Sequence, residues 1–366
     1  MNTHPKSIAF LCSRLDLPGG IERTVVNLAN LFAEKKHSVT LIILDKTKQS
    51  FYPIHPSINI IQQPLLFGIT EKGNVFTRKM NFILDIIRLR RLLKTAKAHI
   101  VIPTEYPFAI AGVLCGGKKY SRIISWEHHH FHWLKRNRFW QFLFNKTYPK
   151  LELVVCQNKD EIPYYTVMGC RATAIPYHMH LKPSFVQKED SKEILSVGWL
   201  IPRKGIDLLM KVANGILKKY PEWTWKIIGD GPMKEELLHF ISENNLKGKL
   251  ILKKPVSHDI TSYYKNASIF VLTSRMESFG MVLAEAMCHG VPAVAFDCET
   301  GPRNVITNYI DGFLAGKENS LQLSEAISKL IESPLLRKKM GENAVISIER
   351  FAPEVIYQLW KEKIFT

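Results

Sequence analysis

Residues Ser268 to Val305 read SIFVLTSRMESFGMVLAEAMCHGVPAVAFDCETGPRNV, and the fold can be built outward from this stretch. Ile269-Phe270-Val271-Leu272 is a short apolar run with the branching of a buried strand. The run breaks at Thr273-Ser274. Glu277 and Ser278 then stand ahead of a periodic stretch, Phe279 to Met287, and Gly290 and Pro292 punctuate its end. Val291 to Phe296 is the next apolar run. The pattern predicts strand, helix, strand. Such a unit puts the turn after its first strand at a helix N-terminus, where unpaired N–H groups favour anions.

Two carboxylates frame that helix. Glu277 lies at its mouth and Glu285 eight residues on, about 12 Å along the axis. A sugar hydroxyl and a ribose hydroxyl are about that far apart across a diphosphate, so one helix can hold both ends of a nucleotide sugar. Either glutamate can instead be an ordinary solvated helix residue. Glu285 fits that alternative poorly, because Leu283, Ala284, Ala286 and Met287 surround it and a carboxylate among them needs a partner. Glu277 to Glu285, with Gly290-Val291-Pro292 and Gly301-Pro302-Arg303 behind it, resembles the E-x7-E motif of the retaining glycosyltransferases of family 4.

That resemblance implies an α/β protein of GT-B fold, with two Rossmann-like β/α/β domains facing across a cleft. The expected division is an acceptor-binding domain over residues 1–180 and a nucleotide-sugar-binding domain over 181–350. A C-terminal helix, 351–366, would return to the first domain. By the same resemblance Glu277 positions sugar hydroxyls and Glu285 takes the ribose. Phe279, Gly280, Met281 and Val282 then lie at the helix start, with N–H groups toward the phosphates.

The bulk numbers fit two domains of ordinary size in 366 residues. Met1 to Ser7 are polar, no apolar run approaches bilayer-spanning length, and six cysteines are scattered without metal-ligand spacing. A soluble cytoplasmic chain is expected. Its charge is uneven: residues 1–183 carry 26 Lys+Arg and 11 Asp+Glu, a net of +15, and subtraction from the totals of 50 and 33 leaves 24 and 22 for the rest. The basic half asks for an anionic partner, a membrane surface or nucleic acid. No RNA-binding signature or basic recognition helix is present, so a nucleic-acid partner is not expected.

Ile8 to Cys12 reads as a first strand, followed by Gly19-Gly20, a helix from Ile21 and a second strand, Val39 to Leu44. The G-x-G-x-x-G spacing of a dinucleotide loop is absent, which speaks against a dehydrogenase. In family 4 a segment like Gly-Gly-x-Glu-Arg brings backbone to the donor phosphates, and Gly20 would be the closest contact. Residues 78–97 form an amphipathic pattern read as a core-facing helix with a basic outer face. Ile100 to Pro103 and Arg122 to Trp126 are later strands. The second leads into Glu127-His128-His129-His130-Phe131-His132. Consecutive rings on a loop diverge, and no Cys or carboxylate set completes a tetrahedral site, so no metal and no cofactor is expected. The resemblance implies a histidine beside sugar and acceptor here. His128 matches best, with His129 and His130 as register alternatives.

Trp133 to Lys146 is dense in aromatics and cations. It suits either an interfacial segment on anionic lipid or an ordinary helix with aromatics in the core. Ala174 to Pro183 has the prolines of a linker. Beyond it, Ile194 to Val197 is a strand, followed by Gly198-Trp199-Leu200-Ile201-Pro202-Arg203-Lys204-Gly205. Family members carry a Gly-Arg…Lys-Gly pattern in this loop, whose cations hold the donor diphosphate. Lys204 matches, Trp199 occupies the arginine position, and Arg203 is a candidate to supply the missing charge. The loop Lys254 to His258 falls where the family seats the nucleobase.

The implied reaction is transfer of a hexose from a nucleotide sugar to a hydroxyl of a glycan or lipid-linked acceptor, with retained configuration. His128, Glu277 and Lys204 would be catalytic, and Lys204 and the helix would stabilise the departing diphosphate without a metal. UDP-galactose, UDP-N-acetylgalactosamine and UDP-glucose are the expected donors. Asp297 to Arg303 suggests bacterial surface-polysaccharide synthesis, and the basic bias of the first half suggests a place on the inner face of the cytoplasmic membrane. A nucleotide-sugar epimerase on the same scaffold is the alternative, one that would need acid/base groups around the hexose and no acceptor.

Overall fold

The computed structural model of the protein describes residues 5–17, 19–46, 50–65, 75–116, 119, 121–179, 183, 191–255 and 260–365, with the side chains of 75–79 left aside. The chain divides into two compact units, Met1–His178 with Pro353–Thr366, and Met179–Ala352. In the first unit the strands are β1 (Ser7–Cys12), β2 (Ser38–Ile43), β3 (Asn59–Gln62), β4 (Ile100–Pro103), β5 (Arg122–Trp126), β6 (Leu153–Cys156) and β7 (Ala172–Ala174). They form one parallel sheet in the order β3-β2-β1-β4-β5-β6-β7. Its helices are α1 (Gly20–Glu34), α2 (Val75–Ala96), α3 (Tyr106–Leu114), α4 (Arg138–Thr147) and α5 (Ile162–Thr166).

The second unit carries β8 (Glu193–Val197), β9 (Thr224–Ile228), β10 (Leu250–Lys253), β11 (Ile269–Leu272), β12 (Ala293–Asp297) and β13 (Gly312–Gly316), ordered β10-β9-β8-β11-β12-β13 and all parallel. Its helices are α6 (Ile206–Lys219), α7 (Lys234–Glu243), α8 (Ile260–Asn266), α9 (Met281–Cys288), α10 (Pro302–Val305), α11 (Ser320–Glu332) and α12 (Pro334–Ile348). Both sheets are doubly wound. Helices cover both faces, so central strands such as β1, β4 and β11 are continuous apolar runs without alternation. In each sheet the strand order reverses beside the first strand, at β1/β4 and at β8/β11. Open α/β sheets of this kind bind ligands outside the strand ends at such a reversal.

The tail is α13 (Pro353–Trp360) followed by a π-helical turn, Lys361–Phe365. It packs on the first unit, as expected for a returning C-terminal helix. Trp360 meets Trp126 and Phe32 edge-on, with ring centroids 5.7 and 5.5 Å apart. Phe365 meets Phe32 at 5.1 Å, and His37 Nε2 lies 2.9 Å from Tyr357 Oη. Arg122 Nη1 donates to the Ile364 carbonyl at 2.7 Å. Aromatic burial of this density is the strongest local contribution available to a helix this short.

Two expectations change. The helix after β11 begins at Met281, two residues later than the periodicity suggested. Gly280 takes φ 92° as its N-cap, so the chain turns sharply before the helix and Glu277 stands on the loop, outside the helix. On α2 the outer face is not simply basic. Met80, Ile83, Leu84 and Ile87 are exposed, while Asp85 is fully buried beside Arg88.

Candidate active site

The reversal point of the second sheet gathers the loops after β8 and β11. Gly205 permits their contact. It sits at φ 64°, and a Cβ there would come within 2.0 Å of the Thr273 carbonyl oxygen. Thr273 Oγ1 donates to the Lys204 carbonyl at 3.0 Å, and the Arg275 N–H donates to the Arg203 carbonyl at 2.9 Å. Arg275 also grips Asp207 through two bonds of 2.7 and 2.8 Å and reaches Glu318 at 3.0 Å. Bidentate pairing of this kind fixes geometry as well as charge. It holds the Asp207 carboxyl below its usual range and lifts the Arg275 guanidinium further above its own.

This stitching delivers Lys204 to Glu277, and the two form an ion pair. Ser274 Oγ donates to the same carboxylate oxygen at 2.7 Å, and Thr300 Oγ1 donates to the Glu277 carbonyl. Glu277 is only 8% exposed. Burial alone would raise its pKa, but the charge and hydrogen bond of Lys204, with Ser274 and Arg203, outweigh burial and leave it below the ordinary value. Gly301, at φ 75°, backs against this residue so closely that a Cβ would lie 2.6 Å from Glu277 Cβ. The carboxylate is therefore ionised and fixed. Arg203 is the second cation nearby, half-buried, its pKa lowered by burial against the pull of Glu277. A shallow hollow opens beside Lys204, lined by Gly198, Trp199, Thr273 and Ser274. Trp199 stands at its edge, 57% exposed.

Phe279 points inward and packs edge-on against Phe351 at 5.1 Å, so only its backbone faces the turn. Gly280 caps α9, its carbonyl accepting from the Leu283 and Ala284 N–H groups. Met281 and Val282 precede the first intrahelical bonds of α9, so their N–H groups point out of the helix end. Glu285, 2% exposed, has the partner its surroundings demand: Tyr264 Oη donates to Oε2 at 2.7 Å. His289 Nδ1 lies 2.9 Å from the Glu285 carbonyl, and its ring stacks on Tyr264 at 5.5 Å.

The first unit holds the other two expected positions. Gly19 is the N-cap of α1, and a Cβ on it would collide with the Glu22 carboxylate at 2.0 Å. Gly20, the first helical residue, is exposed with open space in front of its Cα. His128 follows β5 and is buried. Its Nδ1 lies 2.7 Å from Tyr177 Oη, and its ring meets Trp126 at 4.4 Å. Nε2 has no hydrogen-bond partner among the described residues. Burial, helped by His129, pushes its pKa well below the usual value, so the ring is neutral at pH 7. His129 instead meets Trp133 edge-on at 5.3 Å, and His130 is buried beside Tyr164. Among the described residues no three His, Cys, Asp or Glu side chains converge as metal ligands.

Lys204, Arg203, Glu277, Phe279, Gly280, Met281, Val282 and Glu285 thus belong to one strand-end cluster of the second unit. Gly20 and His128 belong to strand ends of the first. Residues 256–258 of the nucleobase loop lie outside the described residues. Sequence reasoning missed the supporting residues: Ser274 and Thr300 on Glu277, Tyr264 on Glu285, and Tyr177 on His128, which stood in a stretch read as linker.

Comparison with known proteins agrees with this architecture. The family described as Glycosyl transferases group 1 matches residues 180–345, and Glycosyltransferase Family 4 matches residues 18–175. An uncharacterized glycosyltransferase of Haemophilus influenzae is 27% identical over 97% of this chain and 99% of its own. A Campylobacter jejuni α-1,4-N-acetyl-D-galactosaminyltransferase, acting on an undecaprenol-diphosphate-linked glycan, is 25% identical over 98% of each chain. Among solved structures, TarM from S. aureus with UDP bound superposes with a TM-score of 0.80 at 16% identity, over 97% of this chain and 99% of that one. The apo lipopolysaccharide outer core galactosyltransferase WaaB gives 0.78 at 19% identity, over 98% and 99%. With two doubly wound parallel sheets, the returning tail and both family matches, the chain belongs to the GT-B glycosyltransferases, of the family-4 type.

Proposed function

We infer that the protein is a retaining, metal-independent hexosyltransferase. It moves a sugar from a nucleotide donor, UDP-galactose, UDP-N-acetylgalactosamine or UDP-glucose, to a hydroxyl of a glycan or lipid-linked acceptor in bacterial surface-polysaccharide synthesis. The observation that carries this reading is the buried Lys204–Glu277 pair at the reversal point of the second sheet. A fixed cation beside the outward N–H groups of α9 suits a departing diphosphate, whose charge grows in the transition state. Glu277, held ionised, suits the sugar hydroxyls as a hydrogen-bond acceptor. Arg203 adds charge, and the open front of Gly20 leaves backbone accessible to phosphate. Glu285, held in place by Tyr264, is assigned the ribose. The neutral His128 offers Nε2 to a sugar or acceptor hydroxyl. Relatives that act on undecaprenol-linked and lipopolysaccharide acceptors support an acceptor borne at the cytoplasmic membrane.

A two-stage measurement tests the reading. Thermal shift against a set of UDP-sugars identifies the donor, since a ligand that binds only the native state raises its stability. NMR of the product formed from that donor then gives the anomeric configuration. A shift with one or more UDP-hexoses and an α-linked product is expected. Inversion of the anomeric centre, or conversion of donor into its epimer without acceptor, would sink the proposal.

A further inference from the structure

The outward surface of α2 and α4 in the first unit is built unlike the rest of the molecule. Along α2, Met80, Ile83, Leu84 and Ile87 recur at helical spacing on the exposed side. Further toward its end the exposed residues become Arg88, Arg90, Arg91 and Lys94. On α4, Phe139 and Phe142 are exposed, Phe142 by 60%. The two helices meet where the Phe82 ring contacts Phe139 and Trp140, each at 5.9 Å. The exposed strips therefore flank one aromatic seam, with Lys135, Arg138 and Lys146 at the surface on the α4 side.

Charge chooses the partner. Residues 75–97 hold seven Lys and Arg and residues 131–150 hold five, twelve together, against a single acid, Asp85. That acid is fully buried. A protein partner buries a packed apolar centre ringed by polar groups, whereas this surface scatters exposed apolar side chains among cations. Rings and aliphatic side chains at headgroup depth with Lys and Arg around them are what binding to the plane of an anionic bilayer requires. No described helix is long and apolar enough to cross a membrane, so the contact is with the surface.

The geometry points to the α2–α4 face as a docking surface for anionic glycerophospholipid headgroups, with Ile83, Ile87, Phe139 and Phe142 as the inserting side chains. Its purpose rests on the lipid-borne acceptor proposed above, but the surface is testable without any sugar. Flotation of the full chain with phosphatidylcholine vesicles, with and without phosphatidylglycerol, is the measurement. Binding to the anionic vesicles only is expected, falling steeply as salt is raised. The double variant Ile83→Ser/Phe142→Ser and the charge reversal Arg90→Glu/Arg91→Glu should each weaken it about tenfold or more. Both alter exposed positions, so melting temperature and the UDP-sugar thermal shift should stay unchanged. Transfer to a soluble acceptor should then persist while transfer to acceptor in vesicles falls.

Four results would overturn the assignment. The first is no binding to anionic vesicles, and the second is equal binding to neutral ones. The third is a wild-type dimer in sedimentation that the same substitutions convert to monomer. The fourth is vesicle binding that survives both variants while binding to a single-stranded oligonucleotide is lost. If every UDP-sugar fails to bind yet the vesicle results hold, the functional reading falls and the surface stands.

Discussion

Buried acids are held in two contrasting ways, one seen best in each unit. In the second unit, buried or half-buried carboxylates meet cations: Glu277 with Lys204, Asp207 with Arg275, Glu193 with Lys226. The first two are pulled below their ordinary pKa. In the first unit Glu127 is held by the hydroxyls of Ser125 and Tyr148, and Glu161 by Asn158. Burial raises both, Glu161 to about 7. This happens in the half of the chain with fifteen surplus positive charges. Cations are abundant there, and Arg88 pairs with the buried Asp85, yet Glu127 and Glu161 are held by neutral donors. Desolvation decides the charge state when no cation is near, and it loses when one is hydrogen-bonded. One unit keeps fixed charges at its strand ends, and the other spends its cations on its surface.

The largest expected effect comes from making the second unit resemble the first. Lys204→Ala leaves Glu277 buried without its cation. Stability of that unit should fall by about 3–5 kcal/mol in urea unfolding, and turnover with the donor by roughly 10²–10³. Near-normal turnover would remove Lys204 from the chemistry. Gly205→Ala tests the close approach that delivers the lysine. It adds left-handed strain to a collision with the Thr273 carbonyl, and a loss of about 2–5 kcal/mol is expected; a neutral result would show that the loop can move away.

The contrast also has a pH signature. Glu161, raised to about 7, binds its proton more tightly folded than unfolded. The first unit should gain stability as pH falls from about 7 toward the ordinary carboxyl value, and Glu161→Gln should flatten that gain, of order 1–3 kcal/mol. Glu277 has the other sign: its contribution is complete above the unfolded value and disappears as pH falls through the depressed folded one. Hydrogen exchange resolved by unit should show the first unit gaining stability between about pH 7 and the ordinary carboxyl value while the second stays level there and weakens only below it; the same trend in both units would refute the distinction. The smallest effect belongs to Tyr264→Phe. It leaves Glu285 Oε2 without its donor and should lower the melting temperature by the equivalent of about 1–3 kcal/mol, while the UDP-sugar shift reports whether the carboxylate still serves the ligand.

Much of the fold was legible because parallel strands covered on both faces are plain apolar runs. Ile100–Pro103 and Arg122–Trp126 are found where the pattern put them. The strands that escaped notice lie at edges: β3, half-exposed, β7, only three residues long, and β13, a short run with a glycine at each end. Helix α3 has buried apolar residues on every side, so it has no helical period to detect. On α2, apolar residues occupy both faces, and composition could not say which one is inside. In the site, Lys204 and Glu277 were visible because their motifs are local. Tyr177, 49 residues from His128, and Thr300, 23 from Glu277, were not, since nothing in one chain links a hydroxyl to a partner that distant.

The returning tail ties the order of synthesis to activity. Trp360 and Phe365 close the aromatic packing around Phe32 and Trp126, yet they leave the ribosome only after the entire second unit. Until then the first unit has an open hole in its core next to the strand that carries His128. A nascent polypeptide that has not yet supplied Trp360 and Phe365 can thus fold its second unit while its first stays unfinished, which makes synthesis of this segment a checkpoint on the first unit's core.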